Sequence, residues 1–208
     1  MESACKKDEG TTEIKDIDGN IYTSVIIGTQ EWMVENLKVT RLNDGTAITK
    51  ITDENTWFNS NTSAYCWYNN DEASNKDLYG ALYTWYAVTS EKLCPKGWHV
   101  PSEKEWTVLT SYLGGMSLAG NDLKEAGSAH WLSPNAGSAN TTGFTALPGG
   151  FRFHDGSFGG RAYDGFLWSS TNTSDITSFS LNITYYWGKV TFHGDFWREG
   201  LSVRCLKN

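Results

Sequence analysis

The last third of the chain alternates. Phe179, Leu181, Ile183 and Tyr185 are separated by polar residues, Val190 and Phe192 repeat the pattern, and Leu201, Val203 and Cys205 close it. A period of two belongs to a strand with one buried face, because successive side chains point to opposite sides of a sheet. Three such runs in succession predict an antiparallel meander ending the chain. The change to period two begins near Gly143, and the run 144–153 carries a Pro148-Gly149-Gly150 break. At the other end, residues 14–27 read as a β-hairpin around Asp18-Gly19-Asn20, a strong turn signal. Gly28-Thr29-Gln30 turns the chain into a further extended segment, and Asn43-Asp44-Gly45 marks another turn.

Two helices are legible between these regions. The first is expected over 77–90, with Leu78, Leu82, Trp85 and Val88 on one face. The second begins at Ser102-Glu103-Lys104-Glu105, a capping box in which the serine hydroxyl accepts from the third helical N–H and Glu105 reaches back. Trp106, Leu109 and Leu113 form its apolar stripe, and Gly114-Gly115 supply a left-handed stop. A short third helix fits 121–126. Residues 52–76, rich in Asn, Asp, Ser and Thr, read as a long ordered loop pinned by Trp57, Phe58, Tyr65, Trp67 and Tyr68.

Composition limits the rest. Ten Trp, ten Tyr and nine Phe exclude long disorder, which is poor in rings. Lys and Arg number 17 against 24 Asp and Glu, a net charge of -7 that argues against a nucleic-acid partner and against adsorption to anionic lipid. No apolar run is long enough to span a bilayer. Cys5, Cys66, Cys94 and Cys205 form no CxxC and no zinc-ligand spacing. Residues 1–13 hold no core-forming pattern and read as a tether, leaving 14–208 as one domain.

Two resemblances add to this reading. Ser3-Ala4-Cys5 followed by Lys6-Lys7-Asp8 is similar to the cleavage end of a bacterial lipoprotein signal, which implies lipidation at Cys5. The string Cys94-Pro95-Lys96-Gly97-Trp98-His99-Val100-Pro101-Ser102, running into Glu105-Trp106, and the ending Gly200-Leu201-Ser202-Val203-Arg204-Cys205 resemble the Fibrobacter succinogenes major paralogous domain family. Further matching pieces are Ile27-Gly28-Thr29-Gln30-Glu31-Trp32-Met33, Tyr65-Cys66-Trp67-Tyr68, Tyr79-Gly80-Ala81-Leu82-Tyr83 and Trp168-Ser169-Ser170. The resemblance runs from about Ile14 to the end. It implies an α+β, C-type-lectin-like fold related to the formylglycine-generating enzymes: two main helices packed on small antiparallel β-sheets, with long ordered loops. In such folds the cysteine near the first helix region bridges to the last strand, which favours Cys94–Cys205. Cys66 is then a buried thiol, with a bridge through Cys66 left open. The family is typical of bacterial surface proteins, so an exported product is expected: an outer-membrane or cell-surface lipoprotein, or a secreted protein.

For chemistry, the densest cluster of rings and polar groups is Tyr185-Tyr186-Trp187 followed by His193, Asp195, Phe196, Trp197 and Arg198. Rings stack on pyranose faces while carboxylates, amides and guanidinium groups bond hydroxyls. Tyr186, Trp187, His193, Asp195, Trp197 and Arg198 are therefore the candidate ligand-binding residues, with Trp57, Trp67 and Tyr68 as a second cluster. Trp85, Trp98, Trp106, Trp168 and Phe179 are assigned to the core. Calcium-binding triplets of lectins are absent from the sequence, so no cofactor is expected beyond a structural calcium in a loop. His99, His130, His154 and His193 follow no catalytic motif, and only Cys205 lies where a formylglycine-generating enzyme needs a cysteine pair. The expected function is non-catalytic binding of a polysaccharide or a surface protein. The alternatives are a structural or adhesin module and, more remotely, an enzyme of the formylglycine group.

Overall fold

The computed structural model describes residues 13–208. Cys5 and nearly all of the tether therefore lie outside the described residues. The elements run β1 (Ile14–Lys15), β2 (Ile21–Tyr22), β3 (Ser24–Ile27), β4 (Gln30–Met33), β5 (Thr49–Lys50), α1 (Glu54–Asn59), β6 (Ala64–Cys66), α2 (Glu72–Tyr79), β7 (Leu82–Tyr83) and α3 (Trp85–Val88). Then follow β8 (Trp98–His99), α4 (Glu103–Tyr112), α5 (Met116–Leu123), β9 (Gly149–Arg152), β10 (Phe158–Arg161), β11 (Asp164–Asn172), β12 (Thr177–Thr184), β13 (Val190–Phe196) and β14 (Leu206–Lys207). The strands form a curled sheet in the order β10-β9-β11-β12-β13, a second in the order β3-β4-β14-β8, and smaller sheets β5-β6-β7 and β1-β2. The fold is mixed α and β, with several small sheets and few helices.

Local signals fix several of these elements. Ile14 pairs with Tyr22 and Lys15 with Ile21, so β1 and β2 close around the expected turn. The capping box forms: Ser102 Oγ accepts from the Glu105 N–H at 3.3 Å and the Glu105 carboxylate accepts from the Ser102 N–H at 2.7 Å. Trp106 and Leu109 are fully buried, with the Trp106 ring 4.5 Å from that of Trp32.

The helix expected over 77–90 is broken into α2, β7 and α3. Gly80 adopts φ +73°, and a Cβ there would stand 2.6 Å from the Leu37 carbonyl oxygen. The chain leaves the helix because Ala81 N–H donates to Leu37 O at 3.0 Å and Leu82 pairs with Cys66. The third helix lies earlier than expected, ending at Leu123. The 52–76 stretch is more regular than a loop: it holds α1, β6 and the start of α2. Phe179, expected in the core, is half-buried against Phe192. Trp98 is half-buried as well.

The closing meander also changes course. β12 and β13 pair as expected. The segment from Leu201 to Leu206 does not join them as a third strand, and every residue in it is buried. Its backbone threads between sheets, with Leu201 bonded to Tyr83, Ser202 to Trp168, Val203 to Leu37 and Cys205 to Met33. Cys205 is bridged to Cys94, with Cα atoms 6.0 Å apart and a sequence separation of 111. Cys66 is a free, fully buried thiol, and burial pushes its pKa up to about 12.

Three fully buried cations hold the loops. The Arg152 guanidinium donates to the carbonyls of Gly156, Ile51 and Thr52 and lies 4.3 Å over the Trp57 ring. Arg204 donates to Asn36 Oδ1 and to the Phe144 carbonyl. Lys124 donates to the carbonyls of Ala136, Thr184 and Trp187. Each supplies N–H donors where irregular backbone would otherwise leave oxygens unpaired.

Candidate functional site

The two faces of the curled sheet differ in chemistry. Leu167 pairs with Leu181, Leu181 with Phe192 and Ile183 with Val190, so one face closes a core with Trp106 and Leu109. On the other face Phe166 pairs with Asn182, Asn182 with Thr191, Ser180 with His193 and Ser178 with Asp195. Trp168 seals this second face at one end, where it is fully buried. Beyond it the face opens: His193 is exposed, and Asp164, Phe166, Thr191 and Asp195 are half-buried.

A row of rings borders the opening. Phe153 lies 4.5 Å from Phe151, Phe151 4.9 Å from Phe166, and Phe166 5.7 Å from His193. The backbone makes room for them: a Cβ on Gly160 would come within 2.6 Å of the Phe151 ring, and φ there is +74°. Along the rings runs a chain of ionisable groups. Asp164 stands near Asn182 and Thr184, and burial raises its carboxyl pKa. Asp195 accepts from Ser180 Oγ and is likewise raised by burial. Glu199 is pushed up to about 8 by burial and by the charge of Asp195, to which it is hydrogen-bonded. His193 sits beside both aspartates, and His154 Nδ1 stands 3.7 Å from Glu199. No lysine or arginine forms an ion pair with Asp164, Asp195 or Glu199 among the described residues.

Asn182 is the least satisfied polar group here. It is 8% exposed; its Oδ1 accepts weakly from Thr191 Oγ1 at 3.4 Å, and its Nδ2 has no hydrogen-bond partner. A buried amide N–H without a partner costs about 1–3 kcal/mol.

At the far end of β13 a cleft of about 230 Å³ is lined by Tyr86, His154, Ile176, Phe196, Trp197 and Arg198. A larger, shallower hollow of about 710 Å³ beside α1 is lined mainly by small polar residues such as Thr49, Thr52, Thr56 and Ser60.

The six residues expected from sequence are therefore divided. Tyr186 and Trp187 stand exposed at the β12–β13 turn, in an edge-to-face series with Tyr185 and Tyr163. His193 and Asp195 lie on the open face. Trp197 and Arg198 lie at the cleft, separated from Tyr186 and Trp187 by the seven residues of β13, roughly 23 Å at ~3.3 Å per residue. Trp197 also does structural duty, stacked 4.9 Å from Trp85 and donating to Ser178 Oγ. Of the second cluster, Trp57 and Trp67 are fully buried and Tyr68 is half-buried against Phe158, so Trp57 and Trp67 are core rings.

Sequence reasoning missed Asp164, Asn182, Glu199 and the three phenylalanines. The spacing of Asp164 and Phe166 before Trp168, and of Phe151 and Phe153, was the available signal. His99 and His130 lie elsewhere, bonded to Glu105 and Glu125. Among the described residues no group of three or more His, Cys, Asp or Glu is placed to hold a metal ion, and no helix is long and apolar enough to cross a membrane.

No curated protein and no solved structure matches the chain. The family model described as the Fibrobacter succinogenes major domain does match, over residues 25–207, and that span takes in the open face, the cleft, the disulfide and both buried arginines. The chain belongs to the Fibrobacter succinogenes major domain family.

Proposed function

We propose that this protein is a non-catalytic binding module that holds a carbohydrate on the open face of its curled sheet. The observation that carries the reading is the coincidence of a ring border, Phe151–Phe153–Phe166, with polar side chains on the same face: the buried Asn182 amide, half-buried Thr191, exposed His193 and the half-buried carboxyls of Asp164 and Asp195. A sugar presents apolar C–H faces beside hydroxyls that both donate and accept, which is the complement of this surface. The fold is read as C-type-lectin-like, supported by the capped helix α4 against β11 and β12 and by a disulfide joining Cys94 to the last segment. The module is exported, either anchored to the outer membrane or cell surface through a lipid on Cys5, or secreted. The calcium-free reading follows the same face, whose polar groups suit direct hydrogen bonds to hydroxyls. Formylglycine-type chemistry draws no support from Cys66, whose buried thiol has a raised pKa where a reactive one needs a lowered pKa.

Affinity gels of soluble and insoluble polysaccharides test the reading. Retention of the wild type on at least one gel, lost in Phe153→Ala and in Asn182→Leu, is the expected result; no retention on any gel, or undiminished retention in both variants, defeats it. One observation favours a second reading, a structural or adhesin module contacting protein. Tyr186 and Trp187 are 63% and 42% exposed on a turn whose backbone is pinned by Lys124, and Tyr163 of the β10–β11 turn beside them is 47% exposed. Loss of surface adhesion in Tyr186→Ala with Trp187→Ala, without loss of polysaccharide retention, would assign that role to the turn.

A further inference from the structure

We propose that the cleft at the end of β13 is a second binding site, which takes a small free acid: one apolar ring on a short arm ending in a carboxylate, an arylalkanoic acid. The site is separate from the open face, and its ligand class does not rest on the carbohydrate reading.

Four segments far apart in sequence meet at the cleft. Tyr86 comes from α3, His154 from the turn after β9, and Ile176 from the β11–β12 turn; Phe196, Trp197 and Arg198 come from the end of β13 and the turn that follows. Two backbone bonds tie them together: Trp197 N–H donates to the Ile176 carbonyl at 3.0 Å, and Trp85 N–H donates to the Trp197 carbonyl at 2.9 Å. The rings are fixed before any ligand arrives. Trp197 is stacked 4.9 Å from Trp85, and its Nε1–H donates to Ser178 Oγ. The Tyr86 ring meets Trp197 edge-on at 5.9 Å, and His154 meets Phe196 at 5.0 Å. A wall formed in advance spares the ligand the cost of ordering those side chains.

Size and apolar lining set the body of the ligand. The cleft's volume of about 230 Å³ is below the roughly 300–1,000 Å³ of sites for drug-sized molecules, so its occupant is about one ring with a short arm. Ile176 is 60% exposed and Phe196 43% exposed beside this hollow. A ring entering between them and Trp197 takes that apolar surface out of water.

The polar groups at the cleft set the charge of the arm. They are the Arg198 guanidinium, the His154 imidazole and the Tyr86 hydroxyl; each can donate, and no carboxylate lines the cleft. Arg198 is also the exception among the five arginines. Arg41, Arg152, Arg161 and Arg204 all donate to oxygens of the protein, whereas Arg198 enters no ion pair and no side-chain hydrogen bond among the described residues. The adjacent Glu199 does not neutralise it, because that carboxyl holds its proton up to about 8 and is hydrogen-bonded to Asp195. Asp175, beside Ile176, is exposed and does not line the cleft. A carboxylate only accepts, and a guanidinium can hold it by two parallel N–H bonds. A neutral sugar, whose hydroxyls must donate as well as accept, is the poorer match. The net charge of -7 opposes an anion at long range, but screening over about 8 Å at physiological ionic strength leaves the guanidinium at contact to decide.

Nitrogen–proton correlation NMR on the full chain tests the site, with the Trp197 indole N–H as its reporter. The probes are phenylpropanoate, the neutral phenylpropanamide, acetate, and an acetylated peptide ending in a free phenylalanine carboxylate. Phenylpropanoate is expected to shift the Trp197 signal saturably, with half-saturation at about 1 mM or below. The amide and acetate are expected to bind at least about tenfold more weakly. In Arg198→Gln, which alters an exposed side chain and should leave the remaining spectrum as in the wild type, the acid should fall to the level of the amide. Phe196→Ala should weaken acid and amide together. No saturable shift at Trp197 up to about 10 mM phenylpropanoate overturns the site. Equal affinity for acid and amide overturns the carboxylate, as does an acid preference that survives in Arg198→Gln. Acetate binding as tightly as phenylpropanoate reduces the site to an ion pair at Arg198 and overturns the role of the cleft. Tighter binding of the peptide than of the free acid overturns the small acid in favour of a chain terminus. All these outcomes are separate from retention on polysaccharide gels, where Phe153 and Asn182 are the residues tested.

Discussion

Buried cations and buried anions are treated differently in this molecule. Arg152, Arg204 and Lys124 are 0–1% exposed, and each finds two or three oxygen acceptors on loops far apart in sequence. On the open face the carboxyl groups of Asp164, Asp195 and Glu199 are taken partly out of water, and no lysine or arginine among the described residues forms an ion pair with them. The cations close the scaffold. The carboxyls are served by hydroxyl donors such as Ser180 Oγ and by one another. The two kinds of buried charge therefore differ in what they contribute to stability, and each half of that contrast can be broken separately.

The largest effect is expected at the cations. Arg152→Met leaves three carbonyl oxygens without donors and should destabilise the protein by about 3 kcal/mol or more, read from urea denaturation. Loss of the disulfide in Cys94→Ser with Cys205→Ser frees a loop of separation 111 and should cost about 2–4 kcal/mol in the same assay. Ser102→Ala removes one donor–acceptor pair of the capping box and should cost about 1 kcal/mol. On the anionic side the signs reverse. Asp164→Asn removes a partly buried charge and should leave the melting temperature unchanged or raised. A fall in stability comparable to that of Arg152→Met would erase the contrast.

The smallest effect is one of pH. Glu199 holds its proton up to about 8 in the folded protein, against 4.5 for an ordinary glutamate. Within that window the folded state binds more protons than the unfolded chain, so this pair makes stability fall as pH rises. Glu199→Gln should flatten the fall between about pH 4.5 and about pH 8, measured by denaturation midpoints across the range. An unchanged slope would mean that Glu199 is not raised in the folded protein.

How much could be read beforehand depended on the range of the interactions. Helix α4 was legible because its cap, stripe and stop all lie within fourteen residues, Ser102 to Gly115. The helix expected over 77–90 failed because its break at Gly80 is imposed by the Leu37 carbonyl, some forty positions away. Trp57 and Trp67 read as loop rings of a second candidate cluster, yet both are fully buried, with Arg152 from a distant strand over the Trp57 ring and Lys76 over that of Trp67. His193 and Asp195 could be found because rings follow them directly in sequence. Asn182 and Asp164 could not, since in a strand with period two a polar position reads as a solvent-facing one.

The sequence alone determined the mixed fold, the paired strands β12 and β13, the entry to α4 and the inward-facing Cys205, because each depends on side-chain period or on hydrogen bonds a few residues apart. Only the tertiary structure decided which polar residues of the curled sheet are satisfied and which are not. That outcome depends on curvature, which brings Asp164, Asn182, His193 and Asp195 from three strands to one face and excludes water before supplying partners. Ring content marked a surface of interest near β13; burial and unpaired hydrogen-bonding groups moved its centre to Asn182.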